Sequence, residues 1–332
     1  MPTLEREERA GPLRVARTLV RALLITTVTV GVVAPATIAP AAPSPADLQR
    51  QIDEASTNLE KIVEQYNRVT EQLKATQAAQ ATLTAQLAPL QAKLDSAYSA
   101  VQDVAVKVYK GAPMNTGMAL LEAGSPTDLL DQLSMLDQLG RQRRTEITGY
   151  QQVKSTYDSQ KQQLDAAQAA QTAEQQQLDA QKVKINADLQ HLYDLRTQAY
   201  GRPTEPATRS TAKPPAVSGA AGVAVRYAYG ALGVPYVWAG ESMSGFDCSG
   251  LVKAAWGAAG KSLPHNAAMQ WNVVAHISRS SIAPGDLVFS NSLGHVGIYV
   301  GNNQMIDAPH AGAVVRITSV DIMPPYGFGR VR

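Results

Sequence analysis

The sequence predicts an α + (α+β) protein, in which a long antiparallel coiled-coil helical hairpin precedes a small α+β domain with an antiparallel sheet. Apolar residues recur at alternating spacings of four and three within residues 44–200, which is typical of a coiled-coil seam. Residues 219–332 instead carry helical patterns followed by strand-like runs, an α+β order. The proline-rich segment 201–218 between them predicts a semi-rigid linker.

The first helix is predicted to begin after Ser44, which can act as its N-cap, with Pro45 at the first helical position and Asp47 in the first turn. Polar residues around the seam are expected to face water. Pro89 is expected to kink the helix near Ala85, because proline removes a backbone hydrogen bond. The seam comprises Leu48, Ile52, Ala55, Leu59, Ile62, Tyr66, Val69 and Leu73, then Leu83, Leu87, Leu90, Leu94, Ala97, Val101, Val104 and Val108.

A second helix is predicted to start with the capping sequence at residues 125–128 and to run to about Tyr200. Helices of these lengths would span about 95 and about 110 Å, so they can fold back on each other as an antiparallel hairpin. An oligomeric coiled coil is the alternative. The thinner seam of the second helix comprises Tyr150, Tyr157, Leu164, Leu178, Ile185 and Leu192.

The tip of the hairpin, residues 114–124, is apolar and contains Met118, Leu120 and Leu121. Exposed methionine-rich surface is typical of an adaptable partner site. The same side chains could instead only cover the core of the hairpin, and the residues leave both interpretations open.

The N-terminus carries Arg14, Arg17 and Arg21 before an apolar run over residues 22–34, followed by small residues. This pattern is typical of a secretory signal peptide. The apolar run is shorter than the roughly 20 residues of a membrane-spanning helix. We therefore expect residues 1–42 to be a signal peptide and the protein to be secreted.

The charge balance is close to neutral, with 30 Lys and Arg against 28 Asp and Glu. A nucleic-acid-binding function is therefore disfavoured. The chain has one cysteine, Cys248, so no intramolecular disulfide can form. No cluster of cysteine and histidine has metal-ligand spacing.

Cys248 stands in Gly-Phe-Asp-Cys-Ser-Gly-Leu-Val, residues 245–252, at the predicted start of a helix, and Gly294-His295-Val296 follows downstream. A helix N-terminus and a nearby imidazole can lower a thiol pKa into roughly the 3.5–7.5 range. A buried cysteine that only packs as a small apolar residue is the alternative. The flanking residues favour a catalytic thiolate.

Around Cys248, the C-terminal half is predicted to hold a helix over residues 220–232 and another after the cysteine. Asn302-Asn303 is predicted to form a hairpin turn. Strands are predicted over residues 287–289, 295–300, 304–307 and 314–317.

These motifs together resemble the NlpC family of papain-like cell-wall cysteine endopeptidases. The resemblance covers residues 219–332. The long helical hairpin before them is similar to that of the two-domain, Rip-like peptidoglycan hydrolases of cell division. The segments that carry the resemblance are 234–236 (VPY), 246–252 (FDCSGLV), 263–265 (LPH), 284–289 (PGDLVF) and 295–301 (HVGIYVG).

The resemblance implies that Cys248 is the nucleophile and that His295 is the general base. Asp307 falls at the position of the third residue, which would orient the imidazole. His310 is the competing candidate. Because neighbouring strand residues face opposite sides, an apolar Ile306 toward the core would direct Asp307 to the cleft.

The resemblance also implies roles around the nucleophile. The Tyr236 hydroxyl and the Cys248 backbone N–H would stabilise an oxyanion. Asp247 and Ser249 would line a substrate pocket that holds the charged ends of the substrate. His265 would either contact substrate or support the pocket.

The substrate class that the resemblance implies is peptidoglycan stem peptides, most often cut between D-glutamate and diaminopimelate, without any metal or organic cofactor. It further implies a cell-wall location and a division-site membrane partner of the FtsEX type, reached through the hairpin tip. The alternatives are a noncatalytic wall-binding scaffold and an amidase or acyltransferase on the same fold.

Overall fold

The computed structural model describes residues 43–110, 125–207 and 210–332. The predicted signal peptide, residues 1–42, and the predicted hairpin tip, residues 114–124, lie outside the described residues. Among the helices that the structure describes, none combines the length and the apolar composition needed to cross a membrane.

Two long helices dominate the N-terminal half, α1 (Pro45–Tyr109) and α2 (Pro126–Tyr200). The Ser44 hydroxyl accepts a hydrogen bond from the Asp47 N–H at 3.2 Å, and Ser125 caps α2 in the same way. Side-chain capping satisfies N–H groups that have no partner within the helix. Both predicted helix starts are therefore confirmed.

The two helices run antiparallel within one chain. The Thr76 hydroxyl contacts the Glu174 carboxylate at 3.2 Å, and the rings of Tyr98 and Tyr150 lie 6.0 Å apart. Residues farther along α1 therefore contact residues nearer the start of α2, as in an antiparallel helical hairpin.

Among the described residues, the predicted seam is buried only near the base of the hairpin, which is the end formed by the start of α1 and the end of α2. There the C-terminal domain adds a third surface to the two helices, whereas farther along each helix has only its partner. The fully buried apolar residues of the two helices are Leu48, Ile52, Leu59, Val63, Val69, Leu178, Ile185, Leu192 and Leu195.

The C-terminal domain packs helices against a six-stranded antiparallel sheet. Its helices are α3 (Gly219–Gly230), α4 (Cys248–Ala258) and α5 (Ala267–Val273). Its strands are β1 (Glu241–Ser242), β2 (Gly245–Phe246), β3 (Ala275–Ile277), β4 (Leu287–Ser290), β5 (His295–Gly301), β6 (Gln304–Asp307), β7 (Arg316–Ser319) and β8 (Pro325–Arg330). The strand order in the sheet is β3-β8-β4-β5-β6-β7, and β1 and β2 form a separate short hairpin.

Some element boundaries differ from the prediction. Helix α3 ends at Gly230 rather than at Leu232. The strand predicted over residues 314–317 is shifted to β7, while Val314 forms an isolated bridge with Pro235.

Strands β3 and β8 were not predicted. β8 contains Gly327, and a Cβ at that position would lie only 2.6 Å from Cη2 of Trp271. Because glycine has low strand propensity, the sequence around Gly327 does not have the pattern of a strand. The segment becomes a strand by pairing with β3 and β4.

The sheet brings residues that are separated in sequence to the same end of two neighbouring strands. β5 and β6 are antiparallel neighbours joined at Asn302 and Asn303, whose φ angles of 51° and 56° are those of a type I′ turn. The start of β5 and the end of β6 therefore lie side by side. His295 is the first residue of β5 and Asp307 is the last of β6.

Candidate active site

Cys248 is the first residue of α4 and is 2% exposed. Asp247 caps this helix, and its Oδ1 accepts the Gly250 N–H at 2.7 Å. A Cβ at Gly250 would lie 2.1 Å from the carbonyl oxygen of Gly240, so only glycine allows this close approach. The thiol is thereby held at the N-terminus of a helix, as the sequence predicts.

His295 and Asp307 form a buried pair, with Nε2 of the ring 3.0 Å from Oδ2 of the carboxylate. His310 does not join them, because its Nδ1 lies 3.0 Å from the carbonyl oxygen of Ala311. The geometry thus brings Asp307 to the imidazole and leaves His310 aside.

Tyr236 lies close to the cysteine helix, because its backbone bridges to Phe246, just before Asp247. Its hydroxyl is buried and has no hydrogen-bond partner among the described residues. Burial raises the pKa of Tyr236 well above its ordinary value. The phenol therefore remains protonated and can donate a hydrogen bond to an anion.

Helix α1 of the hairpin covers the site. The Glu64 carboxylate accepts hydrogen bonds from the Ser249 hydroxyl at 2.6 Å and, through its other oxygen, from the Asn266 side-chain amide at 2.7 Å and the Ala267 N–H at 2.6 Å. The Cys248 sulfur lies 3.5 Å from Oε1 of the same carboxylate. The nucleophile is therefore covered by a glutamate.

A second contact of α1 involves Asp247, whose Oδ2 accepts a hydrogen bond from the Asn67 side-chain amide at 2.9 Å. His265 holds the same carboxylate from the other side, with Nε2 at 2.8 Å from Oδ1, and its Nδ1 lies 3.2 Å from Glu241. His265 is 7% exposed. Its contacts in this structure are those of a residue that supports the pocket.

A third contact of α1 reaches the histidine. Oε1 of Glu60 lies 3.3 Å from Nδ1 of His295, and Oε2 lies 3.4 Å from the Asn291 side-chain amide. Nδ1 is the ring nitrogen that remains after Asp307 has engaged Nε2. Glu60 therefore faces the ring nitrogen that would take the thiol proton, while the Cys248 thiol is hydrogen-bonded to the same imidazole.

The covered arrangement opposes ionisation of the thiol. Burial, followed by the Glu64 carboxylate, raises the pKa of the Cys248 thiol, and the contribution of His295 that lowers it is smaller. Burial alone would lower the pKa of His295, but Glu60 and Asp307 raise it well above its ordinary value. The lowered thiol pKa expected from the helix N-terminus and the imidazole stays a prediction for the site when α1 does not cover it.

Sequence reasoning missed Glu60, Glu64 and Asn67, each of which is at most 5% exposed. The Gln, Glu, Lys, Asp and Thr residues beside the seam were expected to face water, and that expectation is wrong for Glu60 and Glu64. The signal that could have found them is their spacing of four and three along α1, which places them on one helix face. Asn266, the N-cap of α5, was also missed.

No metal-binding arrangement of three or more His, Cys, Asp or Glu side chains occurs among residues 43–110, 125–207 and 210–332.

A family model described as the NlpC/P60 family matches residues 233–325. That segment contains Cys248, His295 and Asp307. Residues 233–325 form an NlpC/P60 domain. Curated relatives of this chain are named as endopeptidases, and one solved NlpC/P60 protein, RipD of Mycobacterium tuberculosis, is named as non-catalytic.

Two curated relatives are similar to part of this chain. The chain is 43% identical over 105 residues to the probable endopeptidase p60 of Listeria grayi, covering 30% of this chain and 20% of the relative. It is 34% identical over 157 residues to the peptidoglycan endopeptidase RipA of Mycobacterium tuberculosis, covering 42% and 33%. The chain therefore spans no more than about a third of either relative.

Among solved structures, the chain is similar to that of the peptidoglycan hydrolase RipB from Mycobacterium tuberculosis. The sequence identity is 33%, the match covers 33% of this chain and 64% of that chain, and the TM-score is 0.32.

Proposed function

We propose that this protein is an exported peptidoglycan hydrolase, a cysteine endopeptidase that cuts stem peptides at the D-glutamyl–diaminopimelate bond during cell-wall remodelling and cell division. The observation that carries the proposal is the hydrogen bond between the Cys248 thiol, at the start of α4, and the His295 imidazole, which Asp307 holds inside an NlpC/P60 domain. The names of the relatives support the substrate class.

The reaction begins when His295 takes the proton of the Cys248 thiol through Nδ1, while Asp307 holds Nε2. The sulfur attacks the carbonyl carbon of the scissile amide. The oxyanion that forms accepts hydrogen bonds from the Tyr236 hydroxyl and the Cys248 N–H. His295 then gives its proton to the departing amine, and water hydrolyses the thioester to release the acid.

The groups around the thiol suit a substrate with charges of both signs. The Ser249 hydroxyl, the Asn266 amide and the Ala267 N–H converge on one carboxylate position beside the sulfur. Asp247 offers a buried carboxylate to a donor on the other side. A D-glutamyl residue linked through its side chain keeps a free α-carboxylate, which three carbon atoms separate from the scissile carbonyl, and the amino end of a stem peptide supplies an ammonium group.

Digestion of purified peptidoglycan tests this function. The full chain and a Glu64→Leu/Asn67→Asp variant, in which the α1 contacts to the site are removed, are each compared with their Cys248→Ala counterparts, and the products are identified by mass spectrometry. We expect cysteine-dependent fragments that end in D-glutamate. An absence of fragments from both proteins would favour the wall-binding scaffold, and cleavage at the sugar–peptide junction would favour the amidase.

Export and partner binding are parts of the same proposal that rest on the sequence. The signal-like segment 1–42 supports secretion to the cell wall, and the apolar tip supports docking to a membrane complex of the FtsEX type. Polar replacements at Met118, Leu120 and Leu121 are expected to abolish recruitment to the division site and to leave catalysis intact. Unchanged recruitment would contradict this part.

A further inference from the structure

Three polar side chains on one face of α1 are buried in the active site. Glu60, Glu64 and Asn67 are 5%, 4% and 2% exposed, respectively. Burial of polar groups costs free energy unless each group finds a hydrogen-bond partner. A helix that served only as a cover could meet the domain with apolar surface, as the Tyr66 ring does against Trp238. The choice of polar groups therefore needs its own explanation.

Glu64 brings a carboxylate to the position where the domain presents several donors together. The Asn266 amide binds not only this carboxylate but also the backbone carbonyl oxygen of Glu64, at 2.7 Å. The two carboxylate oxygens together accept hydrogen bonds from Ser249, Asn266 and Ala267. These donors belong to the peptidase domain, so they are available to any carboxylate when α1 is absent.

Asn67 brings an N–H donor to the carboxylate of Asp247. Its amide nitrogen lies 2.9 Å from Oδ2 of Asp247 and 3.4 Å from the Ser249 hydroxyl. A substrate ammonium group placed there would donate to the same carboxylate. Asn67 thus supplies the hydrogen bond of an amine without its charge.

The oxyanion of the reaction is not imitated. The Tyr236 hydroxyl, which would receive the oxyanion, has no hydrogen-bond partner among the described residues. α1 therefore presents a carboxylate and a donor to the pocket, but no carbonyl group to the oxyanion donors. Such a ligand can occupy the pocket without being cleaved.

We infer that α1 closes the active site as a substrate mimic, in which Glu64 replaces the substrate carboxylate, Asn67 replaces its ammonium group, and Glu60 engages the catalytic imidazole. The inference rests on the proposed function and specifies how that site is regulated. Stem peptide and α1 compete for the same donors and acceptor. Opening the site therefore requires a displacement of this face of α1.

Contacts other than those of Glu60, Glu64 and Asn67 also hold the hairpin against the domain. The ring of Tyr66 on α1 packs edge-on against Trp238 of the domain, with centroids 5.1 Å apart. At the far side of the base, the Arg196 guanidinium of α2 donates to the carbonyl oxygen of Gly312 at 3.1 Å. These contacts act as an attachment, so the polar face can be changed without removing all that holds the hairpin.

The test uses Asn67→Asp, a nearly isosteric change that removes the donor and places a carboxylate opposite Asp247. Its matched control is Asn58→Asp, the same change at an exposed position of α1. Because Cys248 is the only cysteine, iodoacetamide labelling reports on this site alone. We expect labelling of Asn67→Asp to be faster than that of the control by about tenfold or more, as for the loss of a buried hydrogen bond to a charged group.

A second pair separates mimicry from simple covering. Glu64→Leu keeps much of the bulk but offers no acceptor to Ser249, Asn266 and Ala267, and Glu54→Leu is its control at an exposed position. Calorimetric titration with the dipeptide L-alanyl-γ-D-glutamate is expected to show tighter binding to Glu64→Leu and Asn67→Asp than to the two controls. Circular dichroism establishes that each variant is folded.

Equal labelling of Asn67→Asp and Asn58→Asp in folded proteins would overturn the inference. Faster labelling without tighter dipeptide binding would overturn the substrate mimicry, because α1 would then only cover the active site. Neither measurement requires catalysis. If the variants label faster and bind the dipeptide but cut no peptidoglycan, the proposed endopeptidase function fails while the mimicry stands.

Discussion

Oε1 of Glu60 lies 3.3 Å from Nδ1 of His295, while Nε2 of the same ring contacts Asp307 at 3.0 Å. The imidazole is thus placed between two carboxylates from distant parts of the chain. One belongs to the neighbouring strand of the sheet and the other to the hairpin. An imidazole in this position is stabilised as its protonated form, which cannot accept the proton of the Cys248 thiol.

Replacing Glu60 with glutamine should lower the pKa of His295. Burial opposes protonation of this ring, and the Glu60 carboxylate is the largest contribution that favours it. NMR titration of the imidazole in Glu60→Gln and in the exposed control Glu54→Gln measures the effect. A titration of His295 that is the same in both variants would contradict the arrangement.

The closed state should weaken as the pH rises. Burial, followed by the charge of Asp247, raises the pKa of Glu64 from its ordinary 4.5 to about 7 when α1 is in place. Between pH 4.5 and about pH 7, Glu64 therefore carries more protons in the closed state than in an open one. The contribution of Glu64 to the stability of the closed state is fully present below pH 4.5 and is lost as the pH rises through about 7. His295, whose pKa is also raised, acts in the same direction.

The measurement is the rate of Cys248 labelling from about pH 5 to about pH 8. Glu64 faces Asp247 and Cys248 in the domain, so thiol ionisation must be separated from opening. Glu64→Gln removes the titrating carboxylate, and because Glu64 also raises the thiol pKa, each labelling rate is divided by the thiolate fraction of the same protein, measured by ultraviolet absorbance. We expect the wild-type rate to rise by roughly tenfold more than the rate of the variant, and parallel profiles would exclude Glu64 as the responsible group.

Local patterns predicted much of the fold. The caps at Ser44 and Ser125 and the turn at Asn302-Asn303 depend on neighbouring residues, and all three occur as expected. The strand over residues 304–307 was predicted with the bounds that the structure has. Such features follow from backbone chemistry and side-chain periodicity within a short segment.

The covering of the active site could not be predicted in this way. Glu64 and Ser249 are 185 positions apart in the chain, and a glutamate beside a helical seam has the same local pattern whether it faces water or a pocket. Strand β8 was missed for a related reason, because it pairs with β3 and β4 and packs Gly327 against the Trp271 ring, and none of these partners is adjacent in sequence. Both features arise from tertiary contacts.

Asp307→Asn should retain the fold and lose most of the activity. The amide can keep a hydrogen bond to His295, but it does not stabilise the imidazolium or hold the correct tautomer. In the Glu64→Leu/Asn67→Asp background we expect a decrease in kcat of about 10²- to 10⁴-fold on soluble stem peptides. His310→Ala, which removes the competing candidate, should leave kcat within about twofold, and the reverse ranking would assign the third position to His310.

Tyr236→Phe should separate catalysis from stability. The Tyr236 hydroxyl is buried without a hydrogen-bond partner among the described residues, so its removal is expected to leave the melting temperature unchanged or to raise it. The oxyanion, however, would lose a donor, and kcat in the Glu64→Leu/Asn67→Asp background is expected to fall by about 10²- to 10³-fold. Thermal unfolding and stem-peptide kinetics on the same preparation check both halves. A marked loss of stability would indicate that the hydroxyl has a structural partner, and an unchanged kcat would exclude it from the oxyanion site.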